Sequence, residues 1–248
     1  MKDFQLSSRR IIAQAMLSAN PLCLAVVIPA LNEAGNIRSL VQEVRQIVPA
    51  HIIVADNGST DDTAGEARAA GAFVVSELRR GYGYACAAGV TKAAELNADV
   101  VVFLDADHSF LPAELPRLLL PLLQDRADLV LGSRWLGHIA PGAMPPQQRF
   151  GNWLAARLMS TLYDIRVSDL GPYRAIRLPL LVSLDMQEMT YGYPTEMMVK
   201  AAKRGERIVE VPVSFHPRRS GRSKISGTVR GTILAARFIL GVTFKYAW

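Results

Sequence analysis

The sequence predicts a single α/β domain built on a mostly parallel sheet with helices on both faces. Continuous apolar runs of strand length recur between residues 22 and 134, and helical segments separate them. Strands that are apolar throughout are buried on both faces, which is typical of a parallel sheet covered by helices. A length of 248 residues with 50% hydrophobic content allows the large core that such a domain needs.

The first half of the chain alternates regularly between strands and helices. LCLAVVI at 22–28 is the first strand, and a helix is expected over 33–47. HIIVAD at 51–56 is the second strand, before a helix that opens at Ser59-Thr60-Asp61. The remaining segments of this half are a strand at 72–76, a helix at 82–96 and strands at 99–104 and 128–134.

The second half is less regular. A Pro-rich loop at 141–148 precedes a helix over about 149–163, and the segments DLGPYRAIR and RIVEVPVSF are predicted as strands near the sheet edge. SFHPRRSGRSKISG at 214–227 lacks apolar periodicity, which predicts a mobile basic loop. We therefore expect three parts: an N-terminal helical extension (1–21), the α/β domain (22–216), and a basic loop with an amphipathic helix (217–248).

The net charge of +6 is concentrated at the C-terminal end. No Asp or Glu follows Glu210, whereas seven basic residues do: Arg218, Arg219, Arg222, Lys224, Arg230, Arg237 and Lys245. A nucleic-acid-binding surface would spread basic charge over a face with interleaved aromatic residues. Charge gathered beside an apolar helix instead favours a phosphate group or an anionic membrane surface, and we expect no nucleic-acid partner.

The chain is expected to be cytosolic. Cys23 and Cys86 lie in separate elements without metal-ligand spacing, which fits a reducing compartment and small core residues. The N-terminus has basic residues before an apolar stretch, as signal peptides do, but Gln14, Asn20 and Pro21 interrupt it. We therefore expect no cleaved leader.

Carboxylates follow three of the predicted strands. Glu33 comes after the first, Asp56 ends the second, and Asp105 and Asp107 end the fourth. Ligand sites of parallel α/β sheets lie at the carboxyl ends of the strands, so these side chains are expected at one site. Grouped carboxylates can bind sugar hydroxyls, a nucleobase N–H or a hard divalent ion, and Mg²⁺ prefers one or two carboxylates with phosphate oxygens.

Structural roles compete with binding for some of these acids. Asp61 and Asp62 are expected in the first turn of a helix, where the helix dipole favours negative charge, and Glu33 could act in the same way. The pair after the fourth strand has no such explanation because Pro112 delays the next helix. For that pair we favour metal or nucleotide binding.

Basic residues could complement the acids. Arg80 precedes Gly81-Tyr82-Gly83, whose glycines would let backbone approach a ligand closely, although an ordinary helix entry has the same pattern. Arg134 ends the fifth strand and should reach the same edge as the acids. Further candidates for phosphate contact, each also compatible with a solvated surface, are Arg149, Arg174, Arg222 and Lys224.

Eight segments, taken in order and spacing, resemble a known family. They are VVIPALNEAGNI, ADNGSTDDT, RGYGYACAAG, DADHSFLP, DLVLGSR, SDLGPYRAIR, GYPTEMMVKAAKRGERIVEVPVSF and GRSKISG. Together they resemble the family 2 glycosyltransferases, and within them the polyprenyl-phosphate (dolichol-phosphate) mannosyl- and glucosyl-transferases, over about residues 22–235. The resemblance implies a Rossmann-like GT-A fold, a nucleotide-diphosphate sugar donor, Mg²⁺ or Mn²⁺, and inversion at the anomeric carbon.

The resemblance also implies roles for individual residues. The nucleotide-sugar site would comprise Pro29, Leu31, Glu33, Asp56, Arg80, Gly81, Asp105 and Ala106. The metal ligands would be Asp105, Asp107 and Ser109. Catalytic roles near the sugar and phosphates would fall to Asp169, Arg134 and Lys224, and the acceptor phosphate would meet Arg149, Arg222 and Lys224.

Three positions depart from the family pattern. A single acid, Asp56, stands where two adjacent acids are frequent, which affects base recognition. Leu170-Gly171-Pro172 replaces a Thr or Gly-Gly pair close to the sugar, which affects acceptor identity. Ser109 stands where a longer polar ligand is frequent.

The C-terminal helix offers separate information about the membrane. From about Gly227, one narrow helical stripe carries Arg230, Arg237, Gly241 and Lys245, and apolar residues cover most of the rest. A central arginine makes a spanning segment unfavourable, so we expect an interfacial helix with its basic stripe toward lipid headgroups. The alternative is a helix packed on the protein's own core or on a second copy in a homo-oligomer.

The leading functional hypothesis is an inverting, metal-dependent transferase that makes a lipid-phosphate hexose, glucose or mannose, from a UDP- or GDP-sugar at the cytosolic membrane face. A second hypothesis keeps the donor and glycosylates a hydroxyl of a soluble acceptor, with Asp169 as the base. A third is a membrane-recruited subunit without turnover. A dinucleotide oxidoreductase is disfavoured because IPALNEAG lacks the glycine fingerprint after the first strand.

Overall fold

The computed structural model of the chain describes residues 22–221 and 229–247, so the predicted extension at 1–21 lies outside the described residues. Seven strands within these ranges form one sheet in the order β3-β2-β1-β4-β6-β5-β7. Their bounds are β1 (Leu24–Ala30), β2 (His51–Asp56), β3 (Phe73–Ser76), β4 (Val100–Phe103), β5 (Leu129–Ile139), β6 (Arg174–Arg177) and β7 (Ile208–Phe215).

Helices cover both faces of the sheet. The described ranges contain α1 (Ala34–Ile47), α2 (Thr63–Ala69), α3 (Tyr82–Glu95), α4 (Leu115–Leu123), α5 (Pro146–Tyr163), α6 (Leu178–Ser183), α7 (Tyr193–Lys203) and α8 (Val229–Lys245), and a 3₁₀ turn at Pro112–Glu114 precedes α4. One buried cluster joins the sheet to α1, α2 and α4, and a second joins it to α3, α5, α6 and α7. This arrangement confirms the predicted α/β architecture.

The register of the parallel strands brings their carboxyl ends to one edge. Ala30 of β1 pairs with Asp56 of β2, and Val27 pairs with Phe103 of β4. The residues that follow β1, β2 and β4 therefore lie beside one another, as the strand-end argument requires.

The segment DLGPYRAIR corrects one prediction. Its strand is limited to Arg174–Arg177 and lies inside the sheet, antiparallel to both β4 and β5, instead of near the edge. Ala175 and Ile176 are fully buried, one in each core cluster, which requires cover on both faces. Residues 207–215 behave as predicted, because β7 forms the edge beside β5.

Three element boundaries also differ from the expectation. β5 continues to Ile139 past an irregularity between Ser133 and His138, so Arg134 lies within the strand. α5 begins at Pro146, where the fixed φ of proline suits the first helical turn. α2 begins only at Thr63, so Asp61 and Asp62 precede its first turn, and the Asp61 carboxylate accepts the backbone N–H of Thr63 at 3.1 Å.

The described part of α8 packs on the protein itself. Val242 and Thr243 are buried, the Tyr163 hydroxyl donates to the Thr243 carbonyl at 2.6 Å, and the Tyr246 hydroxyl donates to Glu196 Oε1 at 2.6 Å. The predicted basic stripe, represented by Arg237, Gly241 and Lys245, is exposed. The helix is therefore attached to α5 and α7 while its basic stripe stays open. In residues 22–221 and 229–247 no helix combines the length and apolar character needed to cross a bilayer.

Candidate active site

A cavity of about 700 Å³ opens at the carboxyl edge of the sheet. It collects side chains from the end of β1 and the residues after it, from the residues after β4, from the middle of β5, and from the loop before α3. The predicted site residues that line it are Pro29, Leu31, Glu33, Arg80, Gly81, Asp105, Ala106, Asp107, Ser109 and Arg134. Residues from distant parts of the sequence thus meet in one concave site.

Three other predicted residues lie outside the cavity lining. Asp56 is buried, and its carboxylate accepts the backbone N–H of Ser59 at 3.0 Å, so it fixes the loop after β2. Arg149 is exposed on α5 and donates to the Met144 carbonyl at 3.2 Å. Asp169 lies behind Arg134 and is fully buried.

The two remaining predicted cations, Arg222 and Lys224, lie outside the described residues. The buried Arg174 also departs from its predicted role in phosphate contact. Its guanidinium donates to the carbonyls of Pro194, at 2.6 Å, and Leu170, at 3.4 Å. It therefore holds the loop after residue 169 against the start of α7 instead of facing the cavity.

Asp105 and Asp107 bring two carboxylates together in the cavity lining. Burial, together with the neighbouring Asp107 carboxylate, raises the pKa of Asp105 to about 7. The Tyr82 hydroxyl donates to Asp105 Oδ1 at 3.3 Å, and Asp107 Oδ1 accepts the backbone N–H of Ser109 at 3.0 Å. The pair is a desolvated negative site that favours a cation.

The ligand chemistry of this pair fits Mg²⁺ or Mn²⁺. Carboxylate oxygens suit hard divalent ions, and the Ser109 side chain also lines the cavity. Within the described part of the chain, no group of three or more His, Cys, Asp and Glu side chains is arranged to hold a metal.

Arg218 enters the cavity from the segment after β7. Its guanidinium forms an ion pair with Glu33, and its Nη1 lies 3.4 Å from Asp107 Oδ2. The other oxygen of Glu33 accepts from Asn36 Nδ2 at 2.8 Å. Glu33 makes no side-chain cap bond to α1, and it lines the cavity.

Arg218 is a site residue that the sequence reasoning missed. The sequence places Arg218 in the basic tail, and the predicted phosphate contacts, Arg134, Arg149, Arg174, Arg222 and Lys224, do not include it. Arg218 lies three residues beyond the end of β7. This position could have identified it, because residues near the ends of other strands of the sheet also line the cavity.

Arg134 is held in the cavity wall by Asp169. Its Nε and Nη2 donate to the two carboxylate oxygens at 2.8 and 2.6 Å, and its backbone N–H donates to Asp169 Oδ2 at 2.7 Å. Nη2 also lies 3.3 Å from Asn152 Oδ1 on α5. The two-oxygen contact fixes the plane of the guanidinium, which phosphate recognition requires.

Glu210 supports this pair from β7 and had no sequence signal. Its carboxylate accepts the backbone N–H groups of Ser168 and Asp169 at 2.9 and 3.0 Å. Burial raises the pKa of Glu210 despite these hydrogen bonds. Glu210 thereby fixes the turn that presents Asp169 to Arg134.

The loop before α3 is fixed by Asn57. Its side-chain amide donates to the carbonyls of Glu77 and Arg79 at 3.0 and 2.7 Å, and its Oδ1 accepts the backbone N–H of Gly81 at 3.0 Å. An acid at this position could not make the two donations. Asn57, which stands beside Asp56 where the family frequently has a second acid, therefore has a structural role in this protein.

Gly83 is required by contact with the protein itself. A Cβ on Gly83 would lie 2.5 Å from the Glu188 carbonyl oxygen and 2.5 Å from Met189 Cα. We expected Gly83 to let the backbone approach a ligand closely. At this glycine the close neighbour is instead the backbone of residues 188–189.

Gly83→Ala is expected to lower the melting temperature and weaken donor binding, because either α3 or the 188–189 loop must shift and the first turn of α3 lines the cavity. Gly241→Ala in α8 is the matched control, since its Cβ meets nothing within 4 Å and the change should stabilise by about 0.5–1 kcal/mol. Thermal melts and donor titrations of both variants test this. Equal behaviour of the two variants would contradict it.

The far wall of the cavity is apolar and was not anticipated. Its apolar side chains come from α5 and α8, namely Phe150, Leu154, Ala155, Ile239 and Leu240, and the polar residues Gln147, Gln148 and Asn152 of α5 line the cavity as well. The cavity therefore joins a charged half at the sheet edge to an apolar half between two helices.

Comparison with known proteins agrees with this geometry. The family model described as glycosyl transferase family 2 matches residues 25–181. A Mycobacterium tuberculosis protein named as an uncharacterized glycosyltransferase is 40% identical over 212 residues, covering 85% of this chain and 93% of that protein. The undecaprenyl-phosphate mannosyltransferase of Micrococcus luteus is 34% identical over 219 residues, covering 83% of this chain and 88% of that protein.

A similar solved structure is glucosyl-3-phosphoglycerate synthase from M. tuberculosis in complex with Mn²⁺, uridine diphosphate and phosphoglyceric acid. The TM-score is 0.74 at 25% identity, over 98% of this chain and 82% of that one. The match extends over almost the whole length of this chain and identifies the fold as GT-A.

Proposed function

The chain belongs to glycosyl transferase family 2, and from that premise we propose that it transfers a hexose, glucose or mannose, from a UDP- or GDP-sugar to a polyprenyl phosphate. The observation that carries the proposal is a cavity with an Asp105/Asp107 pair and arginines at one end and an apolar wall at the other. Such a cavity suits a charged donor and an acceptor that is part phosphate and part hydrocarbon. Family membership makes the chain a glycosyltransferase and sets aside the subunit without turnover.

Asp105 and Asp107, with Ser109 beside them, would hold Mg²⁺ or Mn²⁺. When bound, the ion would neutralise the charge that develops on the departing nucleoside diphosphate. Arg134 and Arg218 present fixed positive charge to the same cavity, which supports stabilisation of the leaving diphosphate. Pro29, Leu31 and Arg80 line the same cavity, and we assign them to contact with the nucleoside.

The burial of Asp169 and its bonds to Arg134 favour an acceptor that needs no base, such as a phosphate. A polyprenyl phosphate is ionised at neutral pH and requires positioning but no base. The Asp169 carboxylate is fully buried and bonded to Arg134 through both oxygens, so we assign it to orienting that arginine. Arg149, Arg222 and Lys224 remain our proposed contacts for the acceptor phosphate.

A soluble acceptor is the second candidate. It is favoured by the similarity to glucosyl-3-phosphoglycerate synthase, whose structure contains phosphoglyceric acid. The apolar wall formed by α5 and α8 argues for the lipid, because a small polar acceptor would leave that wall without a partner.

The purified full chain is expected to transfer sugar from one member of a UDP- and GDP-linked glucose and mannose panel, and only when a short-chain polyprenyl phosphate is present. EDTA should reduce transfer to background, because the carboxylate pair would lose its cation, and added Mn²⁺ or Mg²⁺ should restore it. Product is measured by mass spectrometry.

Transfer that proceeds to phosphoglyceric acid and not to the lipid would replace the proposal by the second candidate. Transfer that persists in EDTA would contradict the role of the aspartates. The assay lacking both acceptors measures donor hydrolysis and is the control for each arm.

A further inference from the structure

Helix α5 carries two large aromatic side chains that no part of the described chain covers. Phe150 and Trp153 are 63% and 55% exposed, and their ring centroids lie 5.9 Å apart. The opposite face of the same helix buries Ala155, Ala156 and Met159 in the core. Helix packing therefore does not account for the exposed aromatic pair.

Two further exposed apolar residues come from β5. Trp135 and Leu136, 42% and 54% exposed, directly follow Arg134, whose guanidinium contacts Asn152 on α5. We call Trp135, Leu136, Phe150 and Trp153 the aromatic ridge. Phe150 also lines the cavity, so the aromatic ridge reaches the cavity mouth.

The charged side chains of the segment that carries the aromatic ridge have one sign. No Asp or Glu occurs from residue 135 to residue 163, whereas Arg149 and Arg157 on α5 are both exposed. The neighbouring helix α8 exposes Arg237 and Lys245 and also contains no acidic residue. Two adjacent helices thus combine exposed aromatic and basic side chains, as interfacial membrane-binding segments do.

We propose that the aromatic ridge docks on the surface of an anionic phospholipid bilayer. Tryptophan and phenylalanine side chains would enter the interfacial region while Arg149 and Arg157 meet the headgroups. The cavity mouth would then open at headgroup depth, where the phosphate of a lipid acceptor lies. This last step rests on the function proposed above, whereas the docking itself does not.

A second copy of the chain fits this surface less well. In a twofold dimer the same patch occurs on both partners. Arg149 and Arg157 would face copies of themselves or of each other, and residues 135–163 supply no carboxylate to pair with them. The charge pattern therefore selects an anionic surface over self-association.

Leu136→Ser/Trp153→Ser is the principal test, because neither residue lines the cavity. The full chain is sedimented with phosphatidylcholine vesicles that contain or lack phosphatidylglycerol. Wild type should bind the anionic vesicles, and the double variant should lose at least about tenfold in partitioning because two apolar anchors are removed. Val182→Ser, which changes a residue 59% exposed on α6, is the matched control and should bind as wild type does.

Arg157→Gln changes an exposed residue, so the substitution is not expected to impair folding. It should weaken binding to anionic vesicles and leave binding to neutral vesicles unchanged. Unchanged binding of both variants would overturn the proposal and leave the basic tail as the membrane contact. Light scattering without vesicles measures the oligomeric state of wild type and of the double variant. A dimeric wild type with a monomeric double variant would show that the aromatic ridge is a self-association surface, and this result would also overturn the docking proposal.

The failure of docking and the failure of the proposed function are distinguishable. Vesicle binding is measured without donor or acceptor, so it does not depend on transfer. If both proposals hold, the double variant should transfer sugar to a short, water-soluble polyprenyl phosphate within about twofold of wild type and lose transfer to a long-chain acceptor in vesicles. Equal loss with both acceptors would contradict the docking role.

Discussion

Asp107→Asn is expected to lower the rate of sugar transfer by about a thousandfold at saturating donor, because interactions that stabilise a departing diphosphate are worth several kcal/mol. Asn has the same shape and can still accept the Ser109 N–H that Asp107 accepts at 3.0 Å. It lacks the charge that a divalent ion and Arg218 both require. The substitution therefore tests charge and leaves shape nearly unchanged.

Asp164→Asn is the matched control for this substitution. Asp164 is exposed, has φ of 52° at the end of α5 and lies outside the cavity, and Asn tolerates that conformation well. The control should retain full activity and stability. Steady-state transfer rates and Mn²⁺ titrations on both variants provide the comparison, and an Asp107→Asn rate within threefold of wild type would show that Asp107 is not a metal ligand.

Asp169→Ala should reduce both stability and transfer, since it leaves the Arg134 guanidinium buried without its partner. Removing one member of a buried ion pair costs about 3–5 kcal/mol, and Arg134 is 6% exposed while Asp169 is fully buried. The transfer rate should fall because the guanidinium loses the two bonds that fix its plane. Chemical denaturation and transfer kinetics measure the two effects separately.

A double-mutant cycle separates orientation from proton transfer. If Asp169 acts only by orienting Arg134, then Arg134→Ala/Asp169→Ala should transfer sugar as slowly as Arg134→Ala alone and should recover part of the stability lost by Asp169→Ala. If Asp169 were the base for a hydroxyl acceptor, the double variant would be slower than Arg134→Ala and the pH profile of transfer would change. The cycle thus also discriminates between phosphate and hydroxyl acceptors.

The parallel strands explain why much of the site could be predicted. A strand end is recognisable where an apolar run meets a polar residue, and parallel strands bring their ends together whatever lies between them in sequence. This reasoning places Asp105, Asp107 and Glu33 at the cavity, and it also places Arg134 there, although β5 continues past that residue. Asp56 was placed at the correct edge, but its orientation toward the Ser59 N–H depends on a loop conformation that the sequence does not specify.

Contacts between separate loops could not be predicted in the same way. Nothing in a pattern of apolar residues shows that Glu210 receives the N–H groups of Ser168 and Asp169, or that Asn57 spans the loop before α3. The four-residue strand β6 was misplaced for a related reason. A strand so short carries no periodicity that identifies its neighbours, and its place in the sheet depends on the partners on both sides.

The ion pairs of Arg218 give the free enzyme an internal counterion. Because one guanidinium pairs with both Glu33 and Asp107, it offsets part of their negative charge beside Asp105. A bare divalent ion must compete with that guanidinium, whereas an ion that arrives with a diphosphate offers Arg218 an anion in exchange. The protein should therefore bind the metal–nucleotide complex in preference to the free metal ion. The Arg218 side chain alone would then ensure that the metal enters together with the nucleotide and not before it.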